Sequence, residues 1–155
     1  TKTNISNYLI KWTGVTFDAS YSSRYLSAQL QIGGAWETSG NIYFTRGLEM
    51  GYNTSAAGVS QYFHTTQIRL NGNGSTGSVS MGEMHIPMQS PNVTTNAAGN
   101  KFIYGKSILN NFINDFNGLL STSTAQSGDI TGIRFFADSG NTGYSGRFDL
   151  YKYNY

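Results

Sequence analysis

A chain of 155 residues without an internal linker run suits one domain built around one core. Charged residues make only 12% of it, against 38% hydrophobic and 14% aromatic, a balance that excludes disorder and leaves Ser, Thr, Asn, Gln and 19 Gly as the polar remainder. The net charge of +2 comes from scattered Lys and Arg, so no phosphate track and no nucleic-acid partner are expected. Without Cys there is neither disulfide nor thiolate zinc site, and no apolar run is long enough to cross a bilayer as a helix.

The first expected strand is Tyr8 to Val15. Arg24 to Ile32 alternates cleanly, with Leu26, Ala28, Leu30 and Ile32 on one face and Tyr25, Ser27, Gln29 and Gln31 on the other. This predicts a half-buried strand with a wet outer face. Gly33-Gly34 ends it, and Trp36 is expected in the loop that follows. Asn41 to Met50 holds the next strand or pair, and Gly51 to Gly58 reads as loop. Strand returns at Tyr62-Phe63 and at Thr66 to Leu70.

Asn71-Gly72-Asn73-Gly74 is a strong hairpin signal, because Asn and Gly tolerate the positive φ of primed turns. Ser78 to Met88 is expected to be the returning strand, with a bulge near Gly82 to reconcile Val79 and Met81 with Met84, Ile86 and Met88. Pro87 and Pro91 mark its end or an edge. Lys101 to Leu109 is another strand. Ile108 to Leu120 fits helical spacing, yet it carries four Asn among β neighbours, and strand is preferred. Ser121 to Gly128 is a polar loop, and Ile130 to Phe136 and Arg147 to Tyr151 are the last strands. Eight or more strands at roughly ten-residue spacing predict an all-β, antiparallel β-sandwich of jelly-roll type across residues 1–155. The start at Thr1, without Met or a targeting pattern, suits a domain cut from a longer polypeptide.

The carboxyl end reads Asp129-Ile130-Thr131-Gly132-Ile133-Arg134-Phe135-Phe136, then Ser139-Gly140-Asn141, then Ser145-Gly146-Arg147-Phe148-Asp149-Leu150-Tyr151. It resembles the ending of bacteriophage tail-fibre, tailspike and other virion structural proteins. The opening, from Tyr8-Leu9-Ile10 and Gly14-Val15 to Leu26–Ile32 and Gly33-Gly34, is similar to the first hairpin of the same domains. Lys152-Tyr153 stands where that pattern has Gly-Ile, and the middle of the chain is unmatched. The resemblance implies a fibre-tip or spike module in the virion, assembled as a homotrimer and contacting host cell-surface polysaccharide or lipopolysaccharide. It implies no cofactor and no catalytic residue. Within the motif, Ile133, Phe135, Phe148 and Leu150 are expected in the core, with Ser139 to Asn141 and Ser145-Gly146 shaping the turn.

Loop aromatics beside polar side chains are the natural sugar contacts, since a ring face packs on pyranose C–H groups while amides and carboxylates bond the hydroxyls. Four such pairs stand out: Trp36 with Glu37, Tyr21 with Asp18, Tyr52 with Asn53, and Tyr144 with Asn141. Trp12 is assigned to the core instead. The rival to sugar contact is a core-edge or interface role. Outward Tyr25, Tyr43, Tyr62, Tyr104, Tyr151, Tyr153 and Tyr155 favour either a trimer interface or a cross-strand ladder. A purely structural trimerising or capsid-decorating domain is the alternative.

Catalysis is not expected. Glu37, Glu49, Glu83, Asp115, Asp129, Asp138 and Asp149 form no glycosidase signature. His64 and His85 have no nucleophile elbow to serve. Asp129, Asp138 and Asp149 match no calcium-loop pattern, so no metal is assigned.

Overall fold

The structure, a computed structural model, describes residues 6–17, 25–32, 34–36, 38, 43–51, 58–70, 77–87, 101–110, 112–120, 130–137 and 144–154. They form eleven strands: β1 (Ser6–Phe17), β2 (Leu26–Ile32), β3 (Ala35–Trp36), β4 (Tyr43–Gly51), β5 (Gly58–Thr65), β6 (Ile68–Arg69), β7 (Val79–Pro87), β8 (Lys101–Leu109), β9 (Phe112–Leu120), β10 (Ile130–Ala137) and β11 (Tyr144–Asn154). There is no helix among the described residues. The protein is all-β, with every pairing antiparallel. One seven-stranded sheet runs β11-β1-β7-β8-β9-β4-β5, and a four-stranded sheet runs β10-β2-β3 with β6 also on β2.

The pairings nest. Ser6 lies opposite Asn154, Leu26 opposite Ala137, Ile32 opposite Ile130, Tyr43 opposite Leu120 and Gly51 opposite Phe112. As the chain advances from Ser6 to Gly51 its partner retreats steadily from Asn154 to Phe112. The polypeptide is thus doubled back on itself, and the doubled ribbon alternates between the two sheets.

One buried cluster draws on both sheets. Ile10, Trp12, Val15, Phe17, Met84, Ile86, Ile103, Leu109 and Phe116 come from the larger, and Leu26, Ala28, Leu30, Ile32, Ile68 and Ala137 from the smaller. Burial on β1 switches parity between Trp12 and Val15. The cause is a bulge at Thr13-Gly14 opposite Met81, with Gly14 at φ +62°, where a side chain is disfavoured. The bulge expected in β7 near Gly82 is therefore absent, and the irregularity belongs to β1. β7 keeps a single phase: Ser80, Met84 and Ile86 point inward, while Val79 and Met81 are exposed. Ser80 fills its inward position by accepting the Trp12 indole N–H at 3.0 Å. Between the sheets, the Ser107 hydroxyl of β8 donates to the Leu70 carbonyl at 2.5 Å, and the Leu70 N–H bonds to Leu26 O.

Several expectations need correction. The strands flanking Asn71-Gly72-Asn73-Gly74 are not a hairpin: β6 pairs with β2 in the smaller sheet, and β7 with β1 and β8 in the larger. Residues 71–76 themselves lie outside the described ones. The outer face of β2 is not wet, for Ser27 and Gln29 are buried and Tyr25 and Gln31 are half-buried. Leu150 is not in the core: its register partner Ile10 is buried, yet Leu150, on the edge strand of the sheet, is 64% exposed. Phe148 does pack, stacked on Phe135 at 4.5 Å. Ser145 and Gly146 belong to strand β11 and not to a turn.

Ile108 to Leu120 is strand, as preferred: β8 and β9 form a hairpin in which Leu109 faces Phe112 across a two-residue connection. Asn110 enters it with φ 52°. Of the tyrosines expected outward, Tyr104 and Tyr151 are exposed, while Tyr25 and Tyr153 are half-buried. Tyr43 and Tyr62 are placed only as members of β4 and β5. Tyr155, Pro91 and residues 121–128 lie outside the described residues.

The outer face of the large sheet is banded by register. Asp149, Lys11, Glu83, Lys106 and Asp115 stand side by side on five neighbouring strands, alternating in sign. Lys11 Nζ approaches Glu83 at 4.0 Å and Lys106 Nζ approaches Asp115 at 3.9 Å. Each such exposed pair contributes only about 0.2–1 kcal/mol, so the row fixes register more than it adds stability. Beside it, exposed Met81, Ile108 and Ile113 make an apolar row.

Candidate functional site

The candidate site is the outward face of the four-stranded sheet. Antiparallel register sets Arg134 opposite Gln29 and Gly132 opposite Gln31, with Trp36 opposite Gln31 from the other side. Trp36 is not in a loop as expected. It is the second residue of β3, held there because Ala35 pairs with Ile32 across Gly33-Gly34, and Gly34 takes φ +89°. Such a turn requires glycine.

A bulge arranges the polar half of the site. Thr131 is the extra residue where the β10 register shifts between Ile130 and Gly132. Its hydroxyl reaches Gln31 Oε1 at 3.3 Å and accepts the Gly34 N–H at 3.3 Å. Gln31 Nε2 donates to Gly34 O at 2.9 Å, so turn, amide and hydroxyl fix one another. The lack of a side chain at Gly132 matters here: a Cβ would meet Gln31 Oε1 at 2.8 Å and stand 3.6 Å from Trp36 Cη2. The indole therefore extends across β2 as far as β10.

Arg134 completes the arrangement. Gln29 Oε1 accepts from both Arg134 Nε at 2.8 Å and Nη2 at 2.5 Å, while Gln29 Nε2 is anchored on Thr66 O at 2.8 Å. Held this way, the guanidinium lies over the Trp36 ring, 4.7 Å from its centroid, with Phe136 at 6.0 Å. No carboxylate among the described residues forms an ion pair with Arg134, and its side chain is exposed. A second arginine on the same sheet, Arg69, lies over Tyr25 at 4.2 Å. The face thus offers a 36% exposed indole, a cation without counter-charge among the described residues, and ordered amide and hydroxyl groups.

Trp36 is the one expected contact whose side chain the structure describes. Asp18, Tyr21, Glu37, Tyr52, Asn53 and Asn141 lie outside the described residues. Tyr144 is not a loop residue: it opens β11, at the edge of the other sheet. Arg134, Gln29, Gln31 and Thr131 were not anticipated. Their signal was the polar parity of β2 together with the Gly132-x-Arg134-x-Phe136 parity of β10, readable only once the two strands are known to pair.

Among the described residues, no three acidic or histidine side chains group as a metal site. Glu83, Asp115 and Asp149 belong to the charge row on the opposite face. Asp129 and Asp138 lie outside the described residues, and Glu49 and His64 are placed only as members of β4 and β5. Comparison with known protein families, curated proteins and solved structures returned no match.

Proposed function

We propose that this protein is a jelly-roll β-sandwich from a bacteriophage fibre, spike or virion surface that binds host cell-surface glycan without turning it over. The nested pairing of first with last strands supports the jelly roll, which is a doubled ribbon rolled into two facing sheets. The terminal motif supports the virion setting. The observation that carries the binding role is the exposed Trp36 indole under an Arg134 guanidinium that has no carboxylate partner among the described residues. The ring suits a pyranose C–H face, and the guanidinium suits the phosphate or carboxylate of an acidic glycan such as lipopolysaccharide.

Calorimetric titration with host lipopolysaccharide tests this. Trp36→Ala is expected to weaken binding about thirty-fold, the scale of a truncated aromatic anchor. Arg134→Gln is expected to weaken it too, and to flatten its salt dependence. Unchanged affinity in both variants overturns the site. Release of reducing ends from the polysaccharide overturns the non-enzymatic reading.

A second reading, a trimerising structural module, is favoured by one specific feature. β11 is an eleven-residue edge strand that leaves Leu150 64% exposed, on the face whose Phe148 packs against the core. Long edges with exposed apolar side chains recruit further chains. The wild type is then expected to sediment as a trimer, and Leu150→Lys as a monomer with an unchanged far-ultraviolet spectrum. A monomeric wild type at micromolar concentration removes this reading.

A further inference from the structure

On the outward face of the seven-stranded sheet, where β7 ends at Pro87, lies a concavity of about 240 Å³ lined by Asn7, Tyr8, His85, Pro87, Tyr104 and Tyr153. Register creates it. Asn7 stands between Tyr153 of β11 and Pro87 of β7, and His85 stands between Leu9 of β1 and Tyr104 of β8. His85 is fixed from three directions. Its ring stacks on Tyr104 at 4.7 Å and 3°, Nδ1 lies 3.3 Å from the Tyr153 hydroxyl, and Nε2 lies 3.6 Å from Glu83 Oε1.

We infer that this concavity is a second saccharide subsite, taking one neutral pyranose ring. Among the described residues, the lining on this face supplies the phenols of Tyr104 and Tyr153, an imidazole, an amide and a proline ring, but no carboxylate, ammonium or guanidinium, while Tyr8 borders it from the core side. An ionic ligand finds no counter-charge in that lining, whereas a polyol finds hydroxyl and amide partners that both donate and accept. Tyr104, 40% exposed, provides a ring face for sugar C–H groups. The volume of about 240 Å³ falls below the roughly 300 Å³ at which pockets for drug-sized ligands begin, and so suits a single ring.

The ligand class rests on the glycan reading above, but the location does not. Trp36 and this concavity occupy different sheets, on faces directed away from the shared core. Two such sites on one chain convert weak single contacts into avidity on a polysaccharide that spans them.

The chain has two histidines, so imidazole proton resonances read the subsite directly. The full chain is titrated with the methyl α-pyranosides of glucose, galactose and mannose, and separately with inorganic phosphate. A saturable shift of the His85 resonance is expected with at least one pyranoside, retained in Trp36→Ala. Tyr104→Ala is expected to abolish it, and Tyr153→Phe, which removes only a hydroxyl, to weaken it about five-fold. The subsite is overturned if no pyranoside saturates the shift, if Trp36→Ala removes it, or if neither lining variant changes it. Saturation by phosphate in preference to the pyranosides overturns the neutral class. Failure of lipopolysaccharide to bind, with the His85 shift intact, sinks the Trp36 site and leaves this one standing.

Discussion

Gly105→Ala is expected to destabilise the protein by about 3 kcal/mol or more, the upper end of what overpacking costs. A Cβ at Gly105 would overlap the Glu83 carbonyl oxygen and come within 2.5 Å of Phe116 Cζ and 3.0 Å of Met84 Cα. The Glu83 carbonyl belongs to β7, paired with β8 along its length, so it cannot retreat without opening the ladder. Phe116 is buried and cannot swing out. Gly82, on β7 beneath the Trp12 ring, is hemmed in the same way. A small domain has only about 5–15 kcal/mol in hand, so this change removes much of it. Urea unfolding followed by fluorescence measures the loss. Gly14→Ala is the control: it has open space but φ +62°, and is expected to cost only about 1–2 kcal/mol. Equal losses at the two positions would contradict the packing described here.

The two tryptophans are expected to behave oppositely. Trp12→Ala costs about 3–5 kcal/mol, because a side chain 1% exposed leaves a cavity beside Phe116, whose ring centre is 6.4 Å away. It also strips Ser80 of its donor. Trp36→Ala removes an exposed ring outside the buried cluster, and its stability is expected to stay within about 0.5 kcal/mol of wild type. Stability is thus lost at one tryptophan and affinity at the other. A Trp36→Ala chain that unfolds as readily as Trp12→Ala would make Trp36 a structural residue.

Strand class was legible because period-two burial operates locally: Leu26, Ala28, Leu30 and Ile32 announce themselves, and all four are buried. Trp12 was assigned correctly for the same reason. The ambiguity over Ile108 to Leu120 has a physical source. Ile108 and Ile113 are apolar on the outer face of a hairpin whose inner face carries Leu109 and Phe116, and apolar residues on both faces imitate helical spacing. Pairing was not legible. Asn71-Gly72-Asn73-Gly74 has the chemistry of a hairpin turn, but whether flanking strands meet depends on competing partners far along the chain. The candidate site suffered likewise. Trp36 stood out by residue type, whereas Arg134 became relevant only through its position across from Gln29, 105 residues away.

The nesting of first strand with last bears on how the protein is made. On the ribosome, β1 emerges before both of its neighbours, β7 and β11, and the register of Ser6 with Asn154 is set only once β11 has followed. Nucleation near the β8–β9 hairpin, where partners are adjacent, and outward zippering is the order that closes the smallest loops first. Topologies dominated by such distant contacts fold on the order of milliseconds to seconds, and the nascent β1 edge needs protection until its partners arrive.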